Sequence, residues 1–422
     1  MPIARGEGGE VLRVCLLSYR GNMYCGGQGV YAYYLARELA KLGCEVHLIA
    51  GPPYPDPPDD VQLHKIVNHN FFGKKRDFLP PNPLEIFYPL NFFEYAATRI
   101  HIFPEMFTFS IRAFRKLKEL GRFDIIHDNQ CLGFGLLLMR FLGTPVVATI
   151  HHPLIIDKIA TFKQASSPRE IARYTMYYSP FEMQKVVTRR LDGIMTVSRS
   201  AAREIERAFG VPLTEIRVIY NGVDTETFKN DGCEREENSI LFVGRTEDRK
   251  KGILYLLKAM CMLDDLDLKL TIVDEKPPKI TYAPELVRKY GLEDKVRFTG
   301  RVTVRELVRL YSSAEVFAAP SLYEGFGFPV AEAMACETPV VATTAGAIPE
   351  IVENDETGIL VEPGNARALA SALRMLLEDD CLRRQMGRAA RRRIEKLFSW
   401  ERAARETLNF YEEVLNGTDG KV

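Results

Sequence analysis

Residues 320–349 read PSLYEGFGFPVAEAMACETPVVATTAGAIP, and two carboxylates, Glu324 and Glu332, stand eight positions apart within them. Before this stretch the apolar run Glu315–Ala319 reads as a buried strand, which the following Pro and Gly end in a tight loop carrying Glu324. Pro329 suits a first helical position, where its missing N–H costs nothing, so Val330–Cys336 reads as a short helix with Glu332 near its first turn. Thr338–Thr343 then begins another strand. In such a strand, Gly-loop, helix, strand unit, ligands sit at strand carboxyl ends and against helix N-termini. The amides of Gly325, Phe326 and Gly327 are placed to hold sugar hydroxyls or phosphate oxygens, whereas each ionised Glu only accepts hydrogen bonds. The plainer reading of the two acids is a helix start whose dipole they suit.

The same unit recurs along the chain. Val11–Ser18 is a first strand, Tyr24–Tyr31 a Gly-rich turn, Tyr31–Leu42 a helix stopped by Gly43, and Val46–Ala50 a second strand. Gly27–Ala32 formally matches G-x-G-x-x-A, but its glycines come well past strand one, and strand two ends in Ala50-Gly51 where a ribose-binding acid belongs. The loop is read instead as backbone approaching a phosphate or sugar. Further strands are expected at Asp124–Asp128, Pro145–Ile150, Gly193–Ser198 and Ile216–Tyr220, with Ser198 capping a helix Arg199–Phe209. His151 and His152 close the strand Pro145–Ile150, where contact with substrate and a purely structural role both remain open.

After the turn Asn221–Asp224, the hydrophilic run Lys229–Asn238 reads as a domain boundary, and a second alternating series begins at Ser239–Arg245. Arg245 directly follows a strand, and Lys250 or Lys251 opens the next helix, so two fixed cations bracket a strand mouth. That arrangement suits a diphosphate whose charge grows as it leaves; a solvated basic turn explains Arg249 and Lys250 well enough, but Arg245, directly after a buried strand, less well. Leu268–Val273, Val296–Thr299, Val316–Ala319 and Gly358–Val361 complete the strands.

Length and composition set the bounds. At 422 residues the chain exceeds one growing core, so two domains are expected. The 56 basic and 56 acidic residues cancel, which speaks against a polyanion partner such as nucleic acid. The 8 cysteines form no C-x2-C pair, consistent with a reducing cytosol and with neither a zinc site nor a disulfide scaffold. The N-terminus lacks an apolar signal core, and the most apolar internal run, Leu132–Leu142, is broken by Arg140, so a cytoplasmic protein without a membrane span is expected. Residues 52–106 mix prolines, aromatics and the basic cluster Lys74-Lys75-Arg76. They read either as aromatics packing an irregular insertion over the core, the plainer account, or as a surface lying on an anionic membrane to reach a lipid-linked acceptor.

Taken together, GGQGVY (26–31), TIHHP (149–153), VSRS (197–200), YNGVD (220–224), VGR (243–245) with KKG (250–252), EGFGFPVAEAMAC (324–336), PVVATTAGAIPEIV (339–352) and FSWE (398–401) resemble the family 4 glycosyltransferases. The likeness spans nearly the whole chain and is poorest over 52–106. It implies an α/β, GT-B fold: two Rossmann-like domains with a cleft between them and a C-terminal helix crossing back to the first. On that pattern, residues 1–222 form the acceptor-binding domain with 52–106 as an insertion, 223–398 the nucleotide-sugar domain, and 399–422 the returning helix.

The resemblance further implies a retaining hexosyltransferase acting from a UDP-, GDP- or ADP-sugar onto a glycan, glycolipid or small-molecule hydroxyl, with no cofactor and no metal. Glu332 would accept from ribose hydroxyls, and Glu324 would lie against the donor sugar with the amides of Phe326 and Gly327. Arg245 and Lys251 would hold the diphosphate, Gly26 and Gly27 would approach it from the first domain, and His151 would touch the donor sugar near its reacting carbon. Transfer would run on the front face, the leaving phosphate helping to deprotonate the acceptor. Three departures stand out. Asp274–Pro278 replace a glycine-bearing turn, putting nucleobase contacts there in doubt. The longer spacing from Arg245 to Lys251 leaves Lys250 as an alternative phosphate ligand. Ala345 and Ala347 flank Gly346 where paired glycines are usual. Asp265-Leu266-Asp267 resembles a metal-binding D-x-D but is read as solvated turn acids. An epimerase or phosphorylase on the same fold, or a non-catalytic binding protein, are the alternatives.

Overall fold

A computed structural model describes residues 11–23, 26–69, 71, 80, 82–155, 158, 161–162 and 167–418. The chain divides into two compact units between Ile219 and Tyr220, and returns to the first unit after Arg402. The hydrophilic run Lys229–Asn238 therefore lies inside unit 2, and the last helix, Trp400–Thr418, begins in unit 2 and ends in unit 1.

Unit 1 holds seven strands: β1 (Arg13–Ser18), β2 (Glu45–Ala50), β3 (Val61–Lys65), β4 (Ile125–Asn129), β5 (Val146–Ile150), β6 (Gly193–Thr196) and β7 (Ile216–Val218). They pair in the order β3-β2-β1-β4-β5-β6-β7, all parallel, with Val14 opposite Val46 on one side and Ile125 on the other. Helices cover both faces of such a sheet, which is why β4 and β5 are buried at every position instead of alternating. Ser198 accepts a hydrogen bond from the Ala201 amide and caps the helix Arg199–Phe209 as expected.

The segment 52–106 is less irregular than its sequence implies. It contains β3, in register with β2 from Val61↔Val46 to Lys65↔Ala50, and a helix, Pro89–Arg99. As an edge strand with an exposed Gln62 and prolines before it, β3 carries no strong apolar pattern to betray it. The aromatics do not all pack inward either. Phe71 is buried against Tyr95, whereas Phe87 and Tyr88 are 74% and 65% exposed. Lys74, Lys75 and Arg76 lie outside the described residues.

Unit 2 holds β8 (Glu236–Val243), β9 (Lys269–Val273), β10 (Val296–Phe298), β11 (Ala314–Ala319), β12 (Val340–Thr343) and β13 (Ile359–Val361), ordered β10-β9-β8-β11-β12-β13 and again parallel throughout. Its core joins Ile240, Leu270, Ile272 and Val316 from the sheet to Leu256, Leu257 and Leu373 from the helices Ile253–Met260 and Ala366–Glu378. Each such fully buried side chain contributes about 1.5–3 kcal/mol. In both sheets the strand order reverses once, between β1 and β4 and between β8 and β11. Loops leaving those neighbouring carboxyl ends diverge and open a crevice.

Candidate active site

In unit 2 the reversal brings the end of β8, Gly244-Arg245, beside the end of β11, where Pro320 starts the Glu324 loop. Thr246 anchors the first turn, its amide and hydroxyl both donating to Asp274 at 2.6 Å. Asp274, at the head of the turn lacking the usual glycine, thus serves the loop that carries Arg245. The Arg245 side chain is exposed and bonds to none of the described residues.

A short 3-10 turn, Arg249–Lys251, follows, capped by Asp248 and closed by Gly252 at φ +73°. A side chain at Gly252 would place its Cβ 1.9 Å from the Pro320 carbonyl oxygen, and the Leu322 amide donates to the Lys250 carbonyl at 2.7 Å. This close apposition delivers Lys251 Nζ to Glu324 Oε1 at 2.8 Å, and Ser321 donates to the same oxygen at 2.8 Å. Lys250 pairs instead with Asp248, 3.8 Å away. Glu324 is also held by its backbone. Its carbonyl accepts from the Ala347 amide at 2.9 Å, and Gly346, at φ +58°, passes so close that a Cβ there would fall 2.1 Å from that oxygen. The carboxylate is mostly covered, at 13% exposure, so keeping it beside a lysine costs desolvation that packing alone would avoid. A site has reason to hold such a pair ready.

Beyond Glu324, Gly327 at φ +106° caps the helix Phe328–Ala335, with Pro329 in its first turn. The amides of Phe326 and Gly327 donate to no described residue, and Phe326 itself is buried. Glu332 lies two residues deeper in the helix than the sequence reading puts it, past the first turn, because the helix starts at Phe328. The dipole of the helix start therefore does not account for it. Its Oε2 accepts from the Tyr311 hydroxyl at 2.9 Å. Burial pushes its pKa up to about 7, while that hydrogen bond pulls the other way. Oε1 takes no bond from a described residue and is not among the buried unpaired atoms, so it faces solvent.

Unit 1 presents a different edge. Gly26, at φ +112°, precedes the helix Gly27–Lys41, which opens with the amides of Gly27 and Gln28. The helix comes close to the preceding loop because residue 29 is glycine: a Cβ there would lie 2.1 Å from the Asn22 carbonyl oxygen. At the end of β5, His151 is buried, with Nε2 2.7 Å from Asn129 Oδ1 and its ring edge-on to Tyr31. Burial, helped by His152 and His127, brings its pKa down to about 3, so the ring is neutral at ordinary pH. Its backbone amide donates to Gln130 at 2.6 Å. Behind it, Tyr31 and His127 both reach the Thr149 hydroxyl, at 2.8 and 2.7 Å, and His127 also bonds to Tyr411 of the last helix.

Elsewhere, Asp265 meets both outer nitrogens of Arg374 at 2.6 and 2.7 Å, so the first of the D-x-D acids makes a surface ion pair. Sequence reasoning names no role for Ser321, Tyr311, Asn129 or Gln130. The polar ending of the strand Asp124–Asp128 is the one local hint for the last two.

Two parallel sheets of this order, one edged by an Arg, a Lys and two carboxylates and the other by a glycine turn and a neutral histidine, describe an α/β protein of the two-Rossmann type. Residues 25–227 match Glycosyltransferase Family 4, and residues 223–393 match glycosyl transferases group 1. The MMP alpha-(1->4)-mannosyltransferase of Mycolicibacterium hassiacum is 39% identical, with 96% of this chain and 98% of that one aligned. A D-inositol 3-phosphate glycosyltransferase of Paenarthrobacter aurescens is 30% identical, over 93% and 94%. The chain belongs to the group 1 glycosyltransferases of family 4 type and is a glycosyltransferase. Among solved structures, sucrose-phosphate synthase of Thermosynechococcus elongatus superposes with TM-score 0.73 at 24% identity, over 96% of this chain and all of that one. Anabaena Alr3699/HepE, solved with UDP and glucose, gives TM-score 0.69 at 17% identity, over 95% and 100%. The fold is GT-B.

Proposed function

We propose that the protein transfers a hexosyl group, specifically mannosyl, from a nucleotide-diphosphate sugar to an acceptor hydroxyl with retention of configuration. The observation that carries this reading is the Lys251–Glu324 contact at 2.8 Å beside an Arg245 whose side chain has no partner among the described residues. Two cations and a carboxylate at one strand mouth match a diphosphate joined to a polyhydroxyl sugar. The mannosyl assignment rests on the 39% identical relative, a mannosyltransferase.

In this reading Arg245 and Lys251 bind the diphosphate and stabilise the charge that grows as its bond to the sugar breaks. The amides of Phe326 and Gly327 and the Glu324 carboxylate hold sugar hydroxyls, and Glu332 Oε1 accepts from the ribose. The anomeric carbon loses its phosphate oxygen and gains the acceptor oxygen on the same face, while the acceptor proton goes to the departing phosphate. Gly27 and His151 contact the donor from unit 1, and no group on the protein is alkylated. A lipid-linked acceptor is favoured by one observation, the ledge of Leu84, Phe87, Tyr88 and Phe92, each more than half exposed. Co-sedimentation with anionic vesicles, weakened by Phe87→Ser, tests it; no binding by the unmodified protein removes it.

The donor is tested by thermal stabilisation with UDP-, GDP- and ADP-sugars, since a ligand of the folded state raises Tm by mass action. A mannose-bearing donor should give the largest shift, and NMR of the glycoside formed should show the donor's anomeric configuration. No shift at millimolar concentration, or a free sugar phosphate as product, would contradict the reading.

A further inference from the structure

The neutral histidine of unit 1 has two nitrogens, and its neighbours decide which carries the proton. Asn129, at the end of β4 and 4% exposed, touches three separate elements. Its Nδ2 donates to the Gln28 carbonyl at 2.9 Å and to Ser18 Oγ at 3.3 Å, and its Oδ1 faces His151 Nε2 at 2.7 Å. The amide could in principle be turned round, but a peptide carbonyl only accepts, so the group facing Gln28 must be the NH2. Ser18 agrees, because its hydroxyl proton is given to the Arg20 carbonyl and its oxygen is left to accept. Oδ1 therefore faces His151 and only accepts, which requires a proton on Nε2. A neutral ring then leaves Nδ1 as a lone pair. Nδ1 takes no bond from a described residue and is not among the buried unpaired atoms, so it opens to solvent.

We propose that Asn129 is a positioning residue that locks His151 in the Nε2–H tautomer and thereby presents Nδ1 as an acceptor for a hydroxyl of the transferred sugar. This rests on the site binding a sugar. It gives His151 a reading role and takes from it any part in moving a proton. A ring held by one acceptor, its backbone amide tied to Gln130 and its face set edge-on to Tyr31, is fixed in orientation as well as protonation. The same amide ties the histidine to the Gly26-Gly27 turn through Gln28, so the two unit-1 features expected to meet the donor are one hydrogen-bonded assembly.

The test is 15N NMR of the full chain labelled at its 7 histidines, with His151→Gln to assign the signal. His151 should show a protonated Nε2 and an unprotonated Nδ1, unchanged from pH 8 to pH 5, its pKa lying near 3. Asn129→Ala should give mixed tautomers and lower kcat by about tenfold, the usual effect of one misplaced hydrogen bond. Should that variant fail to fold, Asn129→Asp supplies the second arm: it keeps an acceptor on Nε2 but adds a charge, so the Nε2–H tautomer should persist while protonation moves upward in pH. A Nδ1–H ring or a mixture in the unmodified protein, or an unchanged tautomer in Asn129→Ala, overturns the proposal. The tautomer is read without substrate, so a mistaken donor assignment leaves that result standing. A Nδ1 signal unmoved by every nucleotide sugar overturns the sugar-reading clause alone.

Discussion

The two sheets reverse strand order in the same way and carry opposite chemistry where they do so. At the β8/β11 edge of unit 2 the side chains are charged and within reach of water: Arg245 is exposed, Lys251 is 25% exposed, and Glu324 balances Lys251. Around His151 in unit 1 the bonded side chains are neutral and buried, running from Tyr411 through His127 and Thr149 to Tyr31, and from the Gln28 carbonyl through Asn129 to His151. One architecture thus provides a location twice, and the residues placed there decide the task. Fixed cations suit a group whose charge grows during reaction; a neutral, pinned acceptor suits a hydroxyl whose position must be recognised.

The comparison breaks most readily at Arg245. Arg245→Ala should cost about 3–4 kcal/mol in the barrier, several hundredfold or more in kcat. Because the side chain is exposed and unpaired among the described residues, Tm should barely move. Near-normal turnover would remove the electrostatic role assigned to this edge.

Next comes Gly346→Ala, which strains a left-handed residue and drives a Cβ against the Glu324 carbonyl 2.1 Å away. A loss of about 2–3 kcal/mol of stability with impaired donor binding is expected. Unchanged binding would mean that the Glu324 loop needs no such support.

Acid should act on unit 1 through its buried histidines. His127 and His151, each brought down to about 3 by burial, bind fewer protons folded than unfolded, where a histidine titrates near 6.5. Their stabilisation is complete above about pH 6.5 and is lost as pH falls toward 3, up to about 2 kcal/mol each between pH 7 and 5. Asp128, raised to about 7 by burial, works the other way over this range and favours the folded state on acidification. The difference between variants isolates the histidine contribution: His127→Gln should lose less stability than the unmodified protein from pH 7 to 5, by urea denaturation. Equal losses would contradict it.

The smallest effect is expected in unit 2 at Tyr311→Phe. Deleting the hydroxyl removes the hydrogen bond that lowers the Glu332 pKa, so that pKa should rise further. Donor affinity should weaken by about 1 kcal/mol at pH 7, and its pH midpoint should move upward. A midpoint that moves down, or not at all, would detach Glu332 from donor binding.

Much of this was legible in the sequence for one reason: buried parallel strands are nearly continuous apolar runs, and the loops at their carboxyl ends start with Gly, Pro or charge. β1, β5 and β11 and the Ser198 cap all rest on that local pattern, whereas the contact of Lys251 with Glu324, 73 positions apart, does not. β3 was not legible, since an edge strand exposes half its residues and its pairing with β2 is tertiary information. The partners of the site residues were hidden likewise. Tyr311 is 21 positions from Glu332, and Asn129 is 101 from Gln28, so no spacing rule connects them. Gly346 was visible as a glycine in AGAIPE, but its reason, the Glu324 carbonyl pressed against it, appears only in three dimensions.

The central claim is that Arg245 and Lys251 of unit 2 bind the donor diphosphate and that the His151 side chain of unit 1 does not. Calorimetric titration of the preferred nucleoside diphosphate into the unmodified protein, the Arg245→Ala/Lys251→Ala double variant and His151→Ala tests it directly. The account predicts affinity reduced about a hundredfold or more in the double variant and by less than about threefold in His151→Ala. A double variant that binds as tightly as the unmodified protein would contradict it.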